Sequence, residues 1–241
     1  EAVASDIDDI VIITGRGTRA IEDHFDHSFE LESILAGRGQ ADELAKVRHV
    51  ASRCRIAYVR PKQPSGLGPA LLSARHLRAD DDFAVFLADD VIVSRVPAIR
   101  QLLEAHEEHG CTVIGVQRVP RDLVSAYGVI RPRSSSGGVH EVEGLVEKPR
   151  PARSPSDPAI VGRYVLTPRI FPFLSRTAPG ARGEIQLTDA LKELVKHDRV
   201  IAVEIDGVRY DAGTPLGYLQ ATIETALERE DVAPELVRWL E

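Results

Sequence analysis

Two aspartates and one strand-end carboxylate–lysine pair are the residues of this chain best suited to do chemistry. Asp89 follows the apolar run Phe83–Ala88, so it stands at the carboxyl end of an expected strand. Ligands of open α/β sheets bind at such ends. Asp211 follows Tyr210 and precedes Gly213, a residue that lets backbone approach a ligand closely. The alternative for Asp89 or Asp90 is a cap on the following helix. Glu147-Lys148-Pro149 closes an apolar run, and Pro149 must stop the strand ladder there. A carboxylate beside an ammonium suits a sugar phosphate, the carboxylate accepting hydroxyls and the ammonium meeting the phosphate. An exposed charge pair at a strand end is the plainer reading.

Glycines supply the second group of candidates. Gly66-Leu-Gly68 opens an expected helix, where free backbone N–H groups are available. Gly128 and Gly162 are places where backbone could line a ligand, or where a turn or bulge needs a small residue. Gly15-Arg-Gly17-Thr-Arg-Ala20 matches the letter of the dinucleotide fingerprint. That fingerprint also needs a second strand ending in an acid about 20 residues on. Leu31–Gly39 reads instead as a helix end and a glycine-rich turn. The stripe Ile21, Phe25, Phe29 explains the helix after the loop as a core-facing element. His24 and His27 lack an evident third ligand, and His106-Glu-Glu-His109 falls one residue short of a zinc-protease motif.

These residues need a scaffold of alternating strands and helices. Expected strands are Ile10–Thr14, Ile56–Val59, Phe83–Ala88, Cys111–Gln117, Val142–Glu147, Ile160–Leu166 and Val200–Ile205. Expected helices are Ile21–Leu35, Leu67–Leu77, Ala98–His109, Ile185–His197 and Leu216–Arg229. The first half reads βαβαβαβ, which predicts an α/β fold: a Rossmann-like mixed, mostly parallel sheet with helices on both faces. From about Arg118 to Leu166 strands dominate, which predicts a strand-rich insertion over one sheet edge. The chain has 241 residues, enough for one large α/β domain. We expect a single domain over 1–241, with a first half (1–117), a second half (118–215) and a C-terminal helix and tail (216–241).

Bulk properties narrow the partners. The net charge of −7 argues against nucleic acid, whose binders carry basic patches. No apolar run approaches the ~20 residues of a membrane helix. Cys54 and Cys111 lie far apart and outside any C-x-x-C, as in a cytoplasmic protein with reduced thiols.

Longer motifs are more specific. Ile21-Glu-Asp-His-Phe-Asp26 and Ser28-Phe-Glu-Leu-Glu32 are followed by Gly66-Leu-Gly68, Leu87-Ala-Asp89-Asp90, Tyr127-Gly128-Val129 and Val146-Glu-Lys-Pro149. Ile160-Val-Gly-Arg-Tyr-Val165, Gly183-Glu-Ile-Gln-Leu-Thr-Asp189 and Tyr210-Asp-Ala-Gly213 complete the series. In this order, over nearly the whole chain, the set resembles the bacterial UTP–glucose-1-phosphate uridylyltransferases. The resemblance implies a nucleotide-diphospho-sugar transferase fold and transfer of UMP from UTP to glucose 1-phosphate, giving UDP-glucose and pyrophosphate. It implies Asp89 and Asp211 as Mg²⁺ ligands and, with Lys148, as the catalytic set. It places Gln63, Gly66, Gly68, Gly128, Glu147 and Gly162 at the substrates, and it implies a homo-oligomer. Glu184, Gln186 and Asp189 would support the site from behind, or simply start a helix.

The departures from the family pattern carry expectations too. Pro61 stands where Gln commonly follows the arginine matching Arg60, and Gln63 lies two further on. Pro69 replaces a frequent His, and Thr214-Pro215 differs from the usual residues after the metal aspartate. In this family the catalytic G-x-G-T-R loop follows the first strand. Here Gly15–Arg19 is followed at once by Ile21-Glu-Asp-His-Phe, which places it after the family's second strand as a look-alike. We therefore expect a chain lacking the first strand, loop and helix, and inactive or nearly so by itself. A non-catalytic UDP-sugar-binding or regulatory paralogue is the alternative, and a nucleotide-dependent oxidoreductase using Gly15–Ala20 is a further rival.

Overall fold

The structure is a computed structural model that describes residues 1–62, 66–77, 80–180 and 183–241. Its contacts separate the chain into two compact units, Glu1–Asp81 with Pro168–Leu194, and Asp82–Thr167 with Val195–Glu241.

The first unit opens with β1 (Asp9–Ile13), then α1 (Arg19–Phe25), α2 (Phe29–Gly37) and α3 (Ala41–Arg53), and returns as β2 (Arg55–Val59). β1 and β2 pair in parallel, from Asp9 opposite Arg55 to Ile13 opposite Val59. α4 (Leu67–Ala74) follows, and the second passage of chain adds α6 (Ile170–Leu174) and α7 (Leu187–Leu194). Leu187, Ala190, Leu191 and Leu194 recur at helical spacing on α7 and are buried. Ile21–Leu35 was expected as one helix. It is two, broken at Asp26–Ser28, because Asp26 adopts an extended conformation after its N–H caps Glu22. α3 and the last helix of the chain were not anticipated.

The second unit holds β3 (Phe83–Phe86), β4 (Asp90–Val93), α5 (Ala98–His109), β5 (Thr112–Arg118), β6 (Gly128–Ser136), β7 (Val139–Glu147) and β8 (Pro158–Leu166). It continues with β9 (Val200–Glu204), β10 (Val208–Asp211), α8 (Pro215–Leu227) and α9 (Ala233–Leu240). Six strands form one sheet in the order β3-β8-β5-β9-β7-β6, while β4 and β10 form a separate antiparallel pair. β6 also reaches β8, with Val129 opposite Ala159, so part of the sheet curls back on itself. β8 is buried along its whole length and runs between β3 and β5, antiparallel to both.

The α/β class is as expected, but the pairing differs in one respect. The parallel pairs among the described residues are β1–β2 and β5–β9, and antiparallel pairs outnumber them. The βαβ rhythm cannot reveal that β8, late in sequence, enters the sheet against the direction of its neighbours. For the same reason the strand-rich stretch is more than an edge cover: β6 and β7 lie at one end of the strand order, whereas β8 lies inside it. α5 spans the expected residues and buries Ala98, Ile99 and Leu102. His106 ties its end to the sheet, its Nε2 3.0 Å from Asp82 and its Nδ1 2.7 Å from the Cys111 carbonyl.

Candidate active site

Asp89 sits in the turn between β3 and β4, and Asp211 ends β10. The β4–β10 ladder sets Asp90 opposite Asp211, so Asp89 lies one step beyond the end of that pairing. The Ala212 N–H donates to the Asp89 carbonyl at 2.8 Å and fixes the two chain segments together. Gly213 shows how close the carboxylates come. A methyl group placed on its Cα would lie 3.1 Å from Asp211 Oδ1 and 3.3 Å from Asp89 Oδ2. Two carboxylate oxygens thus flank one small space, which a glycine leaves open.

Asp89 is exposed, whereas Asp90 is buried and committed to structure. Asp90 Oδ1 accepts from Arg209 Nε at 2.6 Å and from the same guanidinium through Nη2. Asp90 Oδ2 accepts the Gly162 N–H at 2.6 Å. Neither aspartate caps a helix, because a strand follows them. Burial lowers the Arg209 pKa, but the Asp90 carboxylate and the Tyr127 hydroxyl outweigh it, and the net shift is upward. Burial pushes the Tyr164 phenol well above its ordinary value, helped by the charges of Asp90 and Glu147.

Glu147 is the last residue of β7, directly opposite Gly128, the first of β6. Lys148 follows with a left-handed backbone, φ +46°, held by its N–H donating to the Tyr127 carbonyl at 2.9 Å. A non-glycine residue in that region costs of order 1 kcal/mol or more and persists only where its surroundings enforce it. The Lys148 ammonium is exposed and 3.9 Å from Glu147 Oε1, too long for a strong pair. Both groups remain available to a ligand.

Gly162 lies in β8, where the β5 register shifts between Ile114 and Val116. A Cβ there would lie 2.5 Å from Asp90 Oδ2 and 2.6 Å from the Leu87 Cβ. Its N–H serves Asp90 and its carbonyl accepts from Leu87 N at 2.8 Å. Close packing beneath the Asp89 turn therefore accounts for this glycine. Gly66 and Gly68 belong to the first unit. Gly66 stands at the N-terminus of α4 with φ +101°, and Gly68 N–H donates to Ile185 O at 3.0 Å. A Cβ on either would lie within 3.0 Å of Ile185 atoms, so both let α4 pass close to that segment. Gln63 lies outside the described residues.

The structure thus ties Asp89, Asp211, Glu147, Lys148, Gly128 and Gly162 into one connected part of the second unit. Sequence reasoning missed the residues that join them: Tyr127, Arg163 and Arg209, with the strands β4 and β10. Arg163 Nη2 donates to Asp90 O at 3.0 Å and its guanidinium lies over the Phe86 ring. Their visible signal lay in the motifs Tyr127-Gly128-Val129 and Ile160-Val-Gly-Arg-Tyr-Val165, which contain two of them, and in Arg209 directly before Tyr210-Asp-Ala-Gly213.

Among the described residues no three His, Cys, Asp or Glu side chains gather around one point. Two converging carboxylates still fit Mg²⁺, which is commonly held by one or two carboxylates with substrate phosphates and water completing its shell. The Gly15–Ala20 loop lacks the acid a dinucleotide site needs. β2, the parallel partner of β1, is followed by Arg60, whose guanidinium is 3.6 Å from Glu22. Thr18 Oγ1 closes the loop on Gly15, donating to its carbonyl at 2.9 Å. Thr214-Pro215 is a helix start: Thr214 Oγ1 accepts from Gly217 N–H at 3.1 Å and Pro215 occupies the first turn of α8.

Residues 1–228 match the family model described as nucleotidyl transferase. The whole chain is 49% identical over 240 residues to UTP–glucose-1-phosphate uridylyltransferase 2 of Staphylococcus saprophyticus, spanning 83% of that protein. Among solved structures, the UTP-bound UGPase from Acinetobacter baumannii superposes with a TM-score of 0.91 at 33% identity, covering 99% of this chain and 84% of that one. A UDP-glucose pyrophosphorylase complexed with UDP-glucose gives 0.86 at 37% identity, covering 95% and 84%. With identity this high over the whole chain, and the paired aspartates in place, the chain belongs to the nucleotidyl transferase family and groups there with the UTP–glucose-1-phosphate uridylyltransferases.

Proposed function

We propose that the protein carrying this chain transfers UMP from UTP to glucose 1-phosphate, forming UDP-glucose and releasing pyrophosphate. The observation that carries this reading is the convergence of Asp89 and Asp211 on the space left by Gly213. The named activity of its relatives supports the substrate pair. In the step, an oxygen of the sugar phosphate bonds to the α-phosphorus of UTP while the bond to the β-phosphate oxygen breaks. Several negative charges must meet, so catalysis is positioning and charge neutralisation.

Asp89 and Asp211 would hold Mg²⁺, which when bound supplies positive charge to the nucleotide phosphates. Lys148, exposed and set by its left-handed backbone, meets the phosphate of the incoming sugar. Glu147, opposite Gly128, accepts hydrogen bonds from sugar hydroxyls. Lys148 lowers the repulsion between the attacking phosphate and the triphosphate, and a charge-assisted contact of this kind is the strong sort. Cys54 and Cys111 form no disulfide, which agrees with a cytoplasmic setting. A homo-oligomer belongs to the same reading and is tested by the sedimentation of the purified protein.

The test is Mg²⁺-dependent formation of UDP-glucose from UTP and glucose 1-phosphate, with Asp89→Asn and Asp211→Asn beside the wild type. We expect each variant to lose at least about 100-fold in rate, the scale of one lost electrostatic stabiliser. Turnover that survives both substitutions would refute the assigned roles. Tight UDP-glucose binding by calorimetry without turnover would instead favour a non-catalytic paralogue.

A further inference from the structure

We infer that Arg209 is a positioning residue that couples the aspartate pair to the Glu147–Lys148 strand end, an inference that rests on the uridylyltransferase reading. Arg209 lies on β10, two residues before Asp211, with its side chain 14% exposed. Its hydrogen bonds and ion pair go to neither candidate metal ligand nor the lysine, and it acts on each through one intermediary. On one side Nε and Nη2 clamp Asp90 Oδ1, whose backbone is bonded directly to Asp89. On the other side Nη1 donates to the Tyr127 hydroxyl at 3.2 Å, and the guanidinium carbon stands 5.1 Å from the centroid of that ring. The Tyr127 carbonyl in turn accepts the Lys148 N–H that holds φ at +46°.

The chemistry makes arginine the residue for this place. Its planar fork can clamp a carboxylate with two nitrogens, offer a third hydrogen bond sideways and lie against an aromatic ring. A lysine brings the same charge but neither the fork nor the stacking surface. The Asp90 carboxylate is buried and its second oxygen is taken by Gly162 N–H. Loosening the clamp therefore frees the Asp89 turn and the Tyr127 support together. The metal carboxylates and the sugar-phosphate lysine come from distant stretches of chain, and reaction requires both in register.

The experiment compares Arg209→Lys and Tyr127→Phe with the wild type of the protein carrying this chain. Mn²⁺ titration by calorimetry needs no turnover and reads the aspartate pair. Steady-state kinetics read kcat and the KM for glucose 1-phosphate, and thermal melting reads fold integrity. For Arg209→Lys we expect about tenfold weaker Mn²⁺ binding and at least about tenfold lower kcat, the scale of one lost charge-assisted hydrogen bond. For Tyr127→Phe, which removes only the sideways bond, we expect unchanged Mn²⁺ affinity and a several-fold rise in KM for glucose 1-phosphate. A lower melting point for Arg209→Lys with Mn²⁺ affinity and kcat at wild-type values would overturn the proposal and leave a purely structural ion pair. If Arg209→Lys does not fold, Tyr127→Phe with wild-type kinetics overturns it alone. A wild type that binds Mn²⁺ but makes no UDP-glucose would refute the proposed function, while the Mn²⁺ titration still decides the role of Arg209.

Discussion

Gly162→Ala is the substitution whose consequence follows most directly from the coordinates. The added methyl would meet Asp90 Oδ2 at 2.5 Å, Leu87 Cβ at 2.6 Å and Leu87 Cγ at 2.9 Å. All three are inside van der Waals contact, and none can retreat cheaply. Leu87 Cβ is fixed to backbone that is itself bonded to Gly162 O, and Asp90 is clamped by Arg209. Overpacking a tight core in this way costs about 1–3 kcal/mol. Three simultaneous clashes put the expectation at the upper end, about 2–3 kcal/mol. For a chain of this length that lowers the melting temperature by about 4–12 °C. Gly144→Ala is the control. It also lies in a strand, β7, but its added methyl would find its nearest neighbour, Arg131 Cβ, at 3.8 Å. We expect that variant to melt at or slightly above the wild type. Calorimetric melts of the three proteins decide the matter. A Gly162→Ala melting point within a degree of wild type, or an equal fall in Gly144→Ala, would refute the packing argument.

Other perturbations test separate parts of the reasoning. Lys148→Asn places a residue that tolerates left-handed backbone at φ +46°, so stability should rise by about 0.5–1 kcal/mol while UDP-glucose formation falls at least about tenfold. A stability loss in a urea titration would contradict the strain assigned to Lys148. His140 is buried, with Nδ1 2.7 Å from Ser135 Oγ and Nε2 2.8 Å from Glu204 Oε1. His140→Ala should cost about 1–3 kcal/mol by stranding these partners, and an unchanged urea midpoint would count against it. Tyr164 has a phenol pKa raised by burial, so the folded state resists ionisation that the unfolded chain undergoes near about 10. Its contribution is intact below that pH and is lost as pH rises through the unfolded value towards the folded one. Tyr164→Phe should therefore flatten the alkaline decline in melting temperature, and identical declines in both proteins would show that another group governs it.

Much of the scaffold is legible in local pattern. α5 was predicted over the residues it occupies, and α7 and the strands β2, β5, β8 and β9 lie within a few positions of expectation. Each carries its own periodicity or β-branched run, so neighbours in sequence suffice to define it. β4 and β10 escaped notice because four residues are too few for alternation to declare itself, and each becomes a strand only by pairing with the other. β6 was hidden by Pro132 and the serines after it. The ladder accommodates them through register shifts around Pro132 at one end of the strand order. The helix expected over Ile21–Leu35 is two, and the stripe Ile21, Phe25, Phe29 read as core-facing is not so: Ile21 is 44% and Phe29 82% exposed, and neither α1 nor α2 buries a residue.

The sequence by itself determined the family, through motifs that keep their order along the chain, and with it the candidate carboxylates, the lysine and the glycines. Chemistry of this kind needs particular residue types, and residue types are what a sequence states directly. The resemblance already pointed to Asp89; only the tertiary structure shows Asp90 buried under Arg209 and Asp89 left exposed beside Asp211. It also decided that Gly162 serves packing, that Lys148 holds a left-handed backbone, and that Tyr127 and Arg209 join the parts. These include relations between residues 119 apart in sequence, such as Arg209 and Asp90. They depend on which strands pair and in which direction, and no local stretch of sequence contains that information.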